Sequence, residues 1–273
     1  MQQVRNSNYD IQKDVIVPDI DLTKTFEYIK NTRPPTINIV DVGVLRGSFY
    51  YDMQKHLRSP KTYDKSILNI PPAFWVGIEP DIYFPHIKSL YDSLHNVAVC
   101  NVQKPEKRTF YINSDRGISS LMKINKEYFT SNPDERENKW YIPSHVVADN
   151  IIEEREVDVV SMKYIFDSIP KFSNEDIHFV KIDAQGAHIS VVESMKDYLS
   201  RTMFIMIESV MTKNPDAVLY KGQTNSEHDI SVMENLGFEI YTMLDYSNHL
   251  GPDSGLPYSS EADIVFINKE FKK

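Results

Sequence analysis

Short, nearly continuous apolar runs recur along the chain at wide intervals, with amphipathic stretches between them. Ile37–Gly43 (INIVDVG), Ala73–Pro80 (AFWVGIEP), Asn96–Cys100, Asp176–Asp183 (DIHFVKID), Thr202–Glu208 (TMFIMIE), Phe238–Leu244 and Ala262–Asn268 (ADIVFIN) predict strands. Runs of this length fit strands covered on both faces, as in a parallel sheet. Arg108–Asn113 (RTFYIN) predicts an additional strand, paired in a hairpin. Ser48–Leu57, Phe84–Leu94, Ile189–Leu199 and Glu227–Leu236 carry apolar residues at helical spacing and alternate with the strands. Strand–helix alternation predicts an α/β fold with a doubly wound, Rossmann-like, mostly parallel sheet.

Before the first strand, Leu22–Ile29 predicts a helix that Arg33-Pro34-Pro35 must stop. The expected organisation is therefore an N-terminal helical extension over 1–36 and one domain over 37–273. Ser59–Pro72, Thr130–His145 and Asp245–Ser260 read as loops or insertions, of the kind that form lids or acceptor-binding walls.

Composition narrows the classes. Of 273 residues, 41% are hydrophobic and 25% charged, enough for a sizeable core. The net charge of −9 argues against a protein that grips nucleic acid through its phosphates. Cys100 is the only cysteine, which excludes an intramolecular disulfide and suits a reducing compartment. The polar start and the lack of any apolar run near 20 residues predict a cytoplasmic protein without stable membrane insertion. The histidines show no paired-ligand spacing, so no metal is expected.

Asp41-Val42-Gly43-Val44-Leu45-Arg46-Gly47 follows the first strong strand and precedes a helix. Glycines at such a turn let backbone N–H groups approach a ligand, and the helix start favours an anionic group. Asp41 suits an ammonium group, so a ligand bearing both an amine and a carboxylate would satisfy the turn. The same spacing also fits an ordinary tight βα turn. Glu79 ends the second strand, where an acid can take two ribose hydroxyls; a solvated strand end is its plainer reading. Asp183, at the end of another strand, lies where ligands of open parallel sheets bind.

Taken in order, DVGVLRG, GIEPD, NVAVCNVQKPEKRTFYI, KIDAQGAHISVVESM and the late Asp263-Ile264-Val265-Phe266 resemble the FkbM-type methyltransferases, from Ile37 to about Phe271. The resemblance implies a class I methyltransferase fold, S-adenosylmethionine as cofactor, and O-methylation of a sugar or small metabolite. It implies that Asp41, Gly43 and Gly47, with Ser48 at the following helix start, hold the methionine moiety, and that Glu79 holds the ribose. Ser119 and Ser120 fall where the family often has a serine-rich turn near the adenine, although they also suit the cap of a helix over Met122–Phe129. Asp183 would face both sulfonium and acceptor, and Glu208 would shape the acceptor site.

The chain departs from the family motif twice: Gln185 and His188 stand where it carries glutamates. A helix through this segment would put both on one face, and His188, together with Asp183, would replace a carboxylate base. The plainer reading is that His188 packs or caps at a helix start. Two rival functions stay open at this point, a noncatalytic S-adenosylmethionine-binding protein and a nicotinamide-dependent dehydrogenase.

Overall fold

In the computed structural model the described residues are 22–45, 47–51, 53, 71–114, 116–132, 151–212, 214–245 and 261–272. Among the described residues the strands are β1 (Ile37–Val42), β2 (Ala73–Ile78), β3 (Ser93–His95), β4 (Ala98–Val99), β5 (Glu106–Asn113), β6 (Ile151–Val160), β7 (Ile177–Ile182), β8 (Thr202–Val210), β9 (Phe238–Asp245) and β10 (Glu261–Asn268). The α-helices are α1 (Thr23–Asn31), α2 (Lys126–Ser131), α3 (Met162–Asp167), α4 (His188–Glu193) and α5 (Ser226–Asn235), with helical turns also at 48–51 and 53.

The main sheet has the order β3-β2-β1-β7-β8-β10-β9. The first five strands in that order are parallel, and β10 runs antiparallel to both of its neighbours. The chain winds outward from β1 through β2 to β3, then returns to the other side of β1 for β7 and β8. The carboxyl ends of β1 and β7 therefore flank the switch point where open α/β sheets bind ligands.

Alternation within the strands explains the two cores. Val40, Val42, Val180, Ile182, Ile205 and Ile207 face α3, α4 and α5. Ile37, Ile39, Phe179, Phe204 and Met206 face α1 and the turn bearing Phe49 and Met53. α1 is anchored there by Phe26 against Phe179 and by Tyr28, which packs on Phe204 and donates to the Phe271 carbonyl at 2.6 Å.

A second sheet, β4-β6-β5, was only partly expected. The strand at Arg108–Asn113 is there, but the expected hairpin with its neighbour is not: β6 lies between β4 and β5, and it was not foreseen because IIEEREVDVV offers an apolar face only near its end. Phe84–Leu94 is not one helix: a 3₁₀ turn at Pro85–Ser89 leads directly to β3. Ile189–Leu199 divides into α4 and a 3₁₀ turn at Lys196–Arg201. Half of Ser48–Leu57 and most of the loops at 59–72, 130–145 and 245–260 lie outside the described residues. No helix among the described residues is long and apolar enough to cross a membrane.

Candidate functional site

The site forms where β1, β2 and β7 end. Gly43 leaves β1 with φ +80°, and its amide donates to the Ile78 carbonyl at 3.0 Å. A Cβ there would lie 2.0 Å from the carbonyl oxygen of Asp183, so only glycine lets the β1 turn close on β7. Gly47, at φ +73°, donates to Val44 and packs against Leu90. Ser48 is exposed at the start of the following helical turn.

Glu79 is buried at the end of β2. Its Oε2 accepts from the Leu45 amide at 3.1 Å and its Oε1 from the Asp81 amide at 2.8 Å. The side chain thus joins the glycine turn to the β2 loop while each oxygen retains a free lone pair. Burial pushes its carboxyl up to about 7, against the pull of these two amides. Val42, Gly43, Ile78, Glu79, Asp183 and Gln185 line a cleft whose outer wall, Val97–Val99 with Phe110 and Leu121, is apolar. The cavity volume is about 60 Å³, against roughly 300–1,000 Å³ for small-molecule sites. A nucleoside therefore requires the walls to part.

Asp41 does not line this cleft. It is 0% exposed beneath the turn, where its Oδ2 accepts from the Tyr91 hydroxyl at 2.5 Å and its Oδ1 lies 3.6 Å from Lys181 Nζ. Burial pushes its carboxyl up, and Lys181 and Tyr91 oppose the shift. Its placement suits holding the turn from below more directly than contact with a ligand amine. Lys181 Nζ also donates to the carbonyls of Gly43 at 3.1 Å and Val42 at 3.4 Å, and to Asp183 Oδ2 at 3.2 Å. Burial works against its charge, but Asp183 and Asp41 outweigh it and push the ammonium up.

Asp183 is one-third exposed and reaches the cleft. Its Oδ1 accepts from Gln185 Nε2 at 2.6 Å. Gln185 has φ +45° and precedes α4, so it shares no helical face with His188, contrary to expectation. Ser119 lines the cleft, its Oγ accepting from the Asn113 amide at 3.0 Å. Ser120 donates to the Gln185 carbonyl at 2.6 Å and accepts from the Met122 amide at 2.9 Å. Neither serine caps a helix, because α2 begins only at Lys126 and the stretch before it is committed to these contacts.

His188 is 2% exposed and does not line the cleft. Its Nε2 lies 2.8 Å from Asp229 Oδ2, which also accepts from Ser209 at 2.5 Å, while Asp229 Oδ1 accepts from Thr224 at 2.5 Å. Burial opposes the charge on Asp229, but His188 and the two hydroxyls outweigh it and hold the carboxyl below the usual range. The imidazole thus ties α4 to α5 and β8.

Glu208 stands near the end of β8, opposite Asp263 on β10. Burial, then Glu261, Asp183 and Asp263, push its carboxyl well above the ordinary range, with Lys181 opposing. Glu261 is pushed up to about 7, first by burial and then by Asp183 and Asp263. No group of three or more His, Cys, Asp or Glu side chains suited to a metal ion occurs among the described residues. Sequence reasoning missed Lys181, Tyr91, Tyr220 and Glu261. Only Lys181 carried a signal, an isolated lysine two positions before a strand-end aspartate.

No curated protein matches the chain. Among solved structures, the mitomycin 7-O-methyltransferase MmcR shares 11% identity over 90% of this chain and 54% of its own, with a TM-score of 0.33. The trans-methyltransferase CalH, in complex with SAH, shares 10% over 89% and 54%, with a TM-score of 0.36. The N-terminal domain of EvdMO1, in the presence of SAH and D-fucose, shares 11% over 91% and 82%, with a TM-score of 0.31. The chain spans about half the length of MmcR and of CalH. The sequence model described as the methyltransferase FkbM domain matches residues 41–240, taking in the glycine turn, Glu79 and the Asp183 segment. The chain belongs to the FkbM methyltransferase family.

Proposed function

We propose that this chain binds S-adenosylmethionine in the cleft at the β1–β7 switch point and methylates a hydroxyl of a sugar or small-metabolite acceptor. The observation that carries the reading is the meeting of the Gly43 turn, Glu79 and Asp183 along one cleft in a member of a methyltransferase family. The residues fit the cofactor. The free lone pairs of Glu79 suit two ribose hydroxyls, Val97–Val99, Phe110 and Leu121 offer an apolar wall to a purine, and Ser119 lies beside it. The turn from Gly43 to Gly47, with Ser48, forms the methionine end, and Asp41 holds that turn through Tyr91 and Lys181. Residues 37–273 constitute the methyltransferase domain in this reading, and 1–36 an N-terminal extension whose described helix, α1, packs on it.

When bound, the cofactor supplies a methyl group made electrophilic by the attached sulfonium. The chain's own work is to hold that cation beside an anionic group, place the acceptor oxygen in line, and receive its proton. Asp183 supplies the anion. With Lys181 and Gln185 holding its two oxygens, proton removal is assigned to a neighbouring carboxylate. Glu261, pushed up to about 7, lies where a base works near neutral pH, and the carboxyl of Glu208 is raised as well. His188, buried against Asp229, has no path to the acceptor and takes the positioning role.

The test is release of S-adenosylhomocysteine with a panel of sugars and hydroxylated metabolites. Turnover with one acceptor class, abolished in Glu208→Gln, supports the reading. Tight cofactor binding without turnover across the panel would favour a noncatalytic binding protein.

A further inference from the structure

Gln185 stands where the FkbM motif carries a glutamate, and the proposed transfer gives it no task. Its surroundings are nevertheless built. The side-chain nitrogen donates to Asp183 Oδ1 at 2.6 Å, and the side-chain oxygen accepts from the Tyr220 hydroxyl at 2.7 Å. That polarity fixes the amide orientation, since the reverse would set oxygen against carboxylate. The backbone is held as firmly. Gln185 keeps φ +45° without being glycine, its carbonyl accepts from Ser120 at 2.6 Å, and Gly186 follows at φ +91°. A Cβ on Gly186 would meet the Tyr220 ring at 2.9 Å, so ring and turn are in close contact.

Asp183 consequently receives an amide N–H on one oxygen and the Lys181 ammonium on the other. A glutamate at 185 would instead set two carboxyl groups at hydrogen-bond distance. Two such groups cannot both ionise, and they titrate as a pair that shares a proton. Resting on the proposed cofactor reading, we propose that Gln185, clamped by Tyr220, is a positioning residue that holds the Asp183 carboxylate by its Oδ1 toward the sulfonium without setting a second carboxyl group against it. The departure from the family motif is then a working feature of this site and no sign of lost catalysis. The other charged groups facing Asp183 are Lys181 on β7, Asp41 on β1, Glu208 on β8, and Glu261 and Asp263 on β10. All are unchanged in the variants below.

The experiment measures thermal melting of the full chain from about pH 4 to about pH 9 for wild type, Gln185→Glu and Gln185→Met. In Gln185→Glu the folded pair retains a proton that the unfolded chain releases near about pH 4.3. Its melting deficit is therefore smallest in acid and grows as pH rises through the pair's range. Gln185→Met loses the same amide contacts but adds no second carboxyl group, so its deficit changes less with pH than that of Gln185→Glu. The expected growth for Gln185→Glu is at least about 3 °C. A deficit that does not change with pH would overturn the inference. Titration with S-adenosylhomocysteine runs alongside. Silence there, with the pH-dependent deficit present, would defeat the cofactor reading and leave the control of Asp183 by Gln185 standing.

Discussion

Replacing Gly43 by alanine isolates the contact on which the cleft is built. The added Cβ would sit 2.0 Å from the Asp183 carbonyl oxygen, whereas real Cβ atoms essentially never approach within 3.0 Å. The ends of β1 and β7 must then part by about 1 Å or more, since the obstacle is backbone and cannot rotate away. Three costs combine. Positive φ in a residue with a side chain costs ~1–2 kcal/mol, overpacking ~1–3 kcal/mol, and a weakened Asp183 N–H to Val42 hydrogen bond ~0.5–1.5 kcal/mol. The total, roughly 2.5–6.5 kcal/mol, corresponds to a melting decrease of about 5–26 °C in a chain of this size. Gly237→Ala is the control: its φ is +90°, yet nothing lies within 4 Å of the added carbon. It meets only the backbone cost, ~1–2 kcal/mol or about 2–8 °C. Differential scanning calorimetry of both variants separates steric closure from glycine conformation. Gly43→Ala melting within a degree or two of Gly237→Ala would refute the claim that the β1 turn closes against β7.

Two further outcomes follow from the buried charges. His188→Ala leaves Asp229 buried with the Ser209 and Thr224 hydroxyls as its hydrogen-bond donors, at a cost of ~2–4 kcal/mol, so the melting temperature falls while turnover per folded molecule stays within a few-fold. Unchanged melting with lost turnover would restore a catalytic role to this histidine. Because burial raises the folded-state carboxyl of Glu79 to about 7, its protonation stabilises the fold below the unfolded value near 4.5, and that contribution is lost as pH rises through about 7. Glu79→Gln therefore flattens the decline of stability over this window, by roughly 3 kcal/mol, in denaturant titrations at several pH values. An identical pH slope in the two proteins would contradict the raised value.

The sheet was legible because its central strands are buried on both faces. INIVDV and IHFVKI admit little besides a covered parallel strand, and their ends fall within one residue of expectation. β6 was not legible, because its exposed positions are Ile152, Glu153, Glu154, Glu156 and Asp158, mostly charged in a pattern that resembles a solvated segment. The glycine turn and the placement of Glu79 and Asp183 followed from the motif order. The task of Asp41 did not, because side-chain alternation sends it to the α1 side, under Tyr91. His188 carried the chemistry of a base, yet the chemistry of a residue type says nothing of exposure. Its partner Asp229 lies 41 positions away and is joined to it only by the fold. Tyr220 gave no signal for the same reason.

The most direct test of the central claim is isothermal titration of the purified protein with S-adenosylmethionine, S-adenosylhomocysteine and NAD, beside Glu79→Ala. The account predicts micromolar binding of both sulfur nucleosides, weakened about 10–100-fold in the variant by loss of charged hydrogen bonds to the ribose, and no binding of NAD. Binding of NAD with silence from the sulfur nucleosides would contradict it.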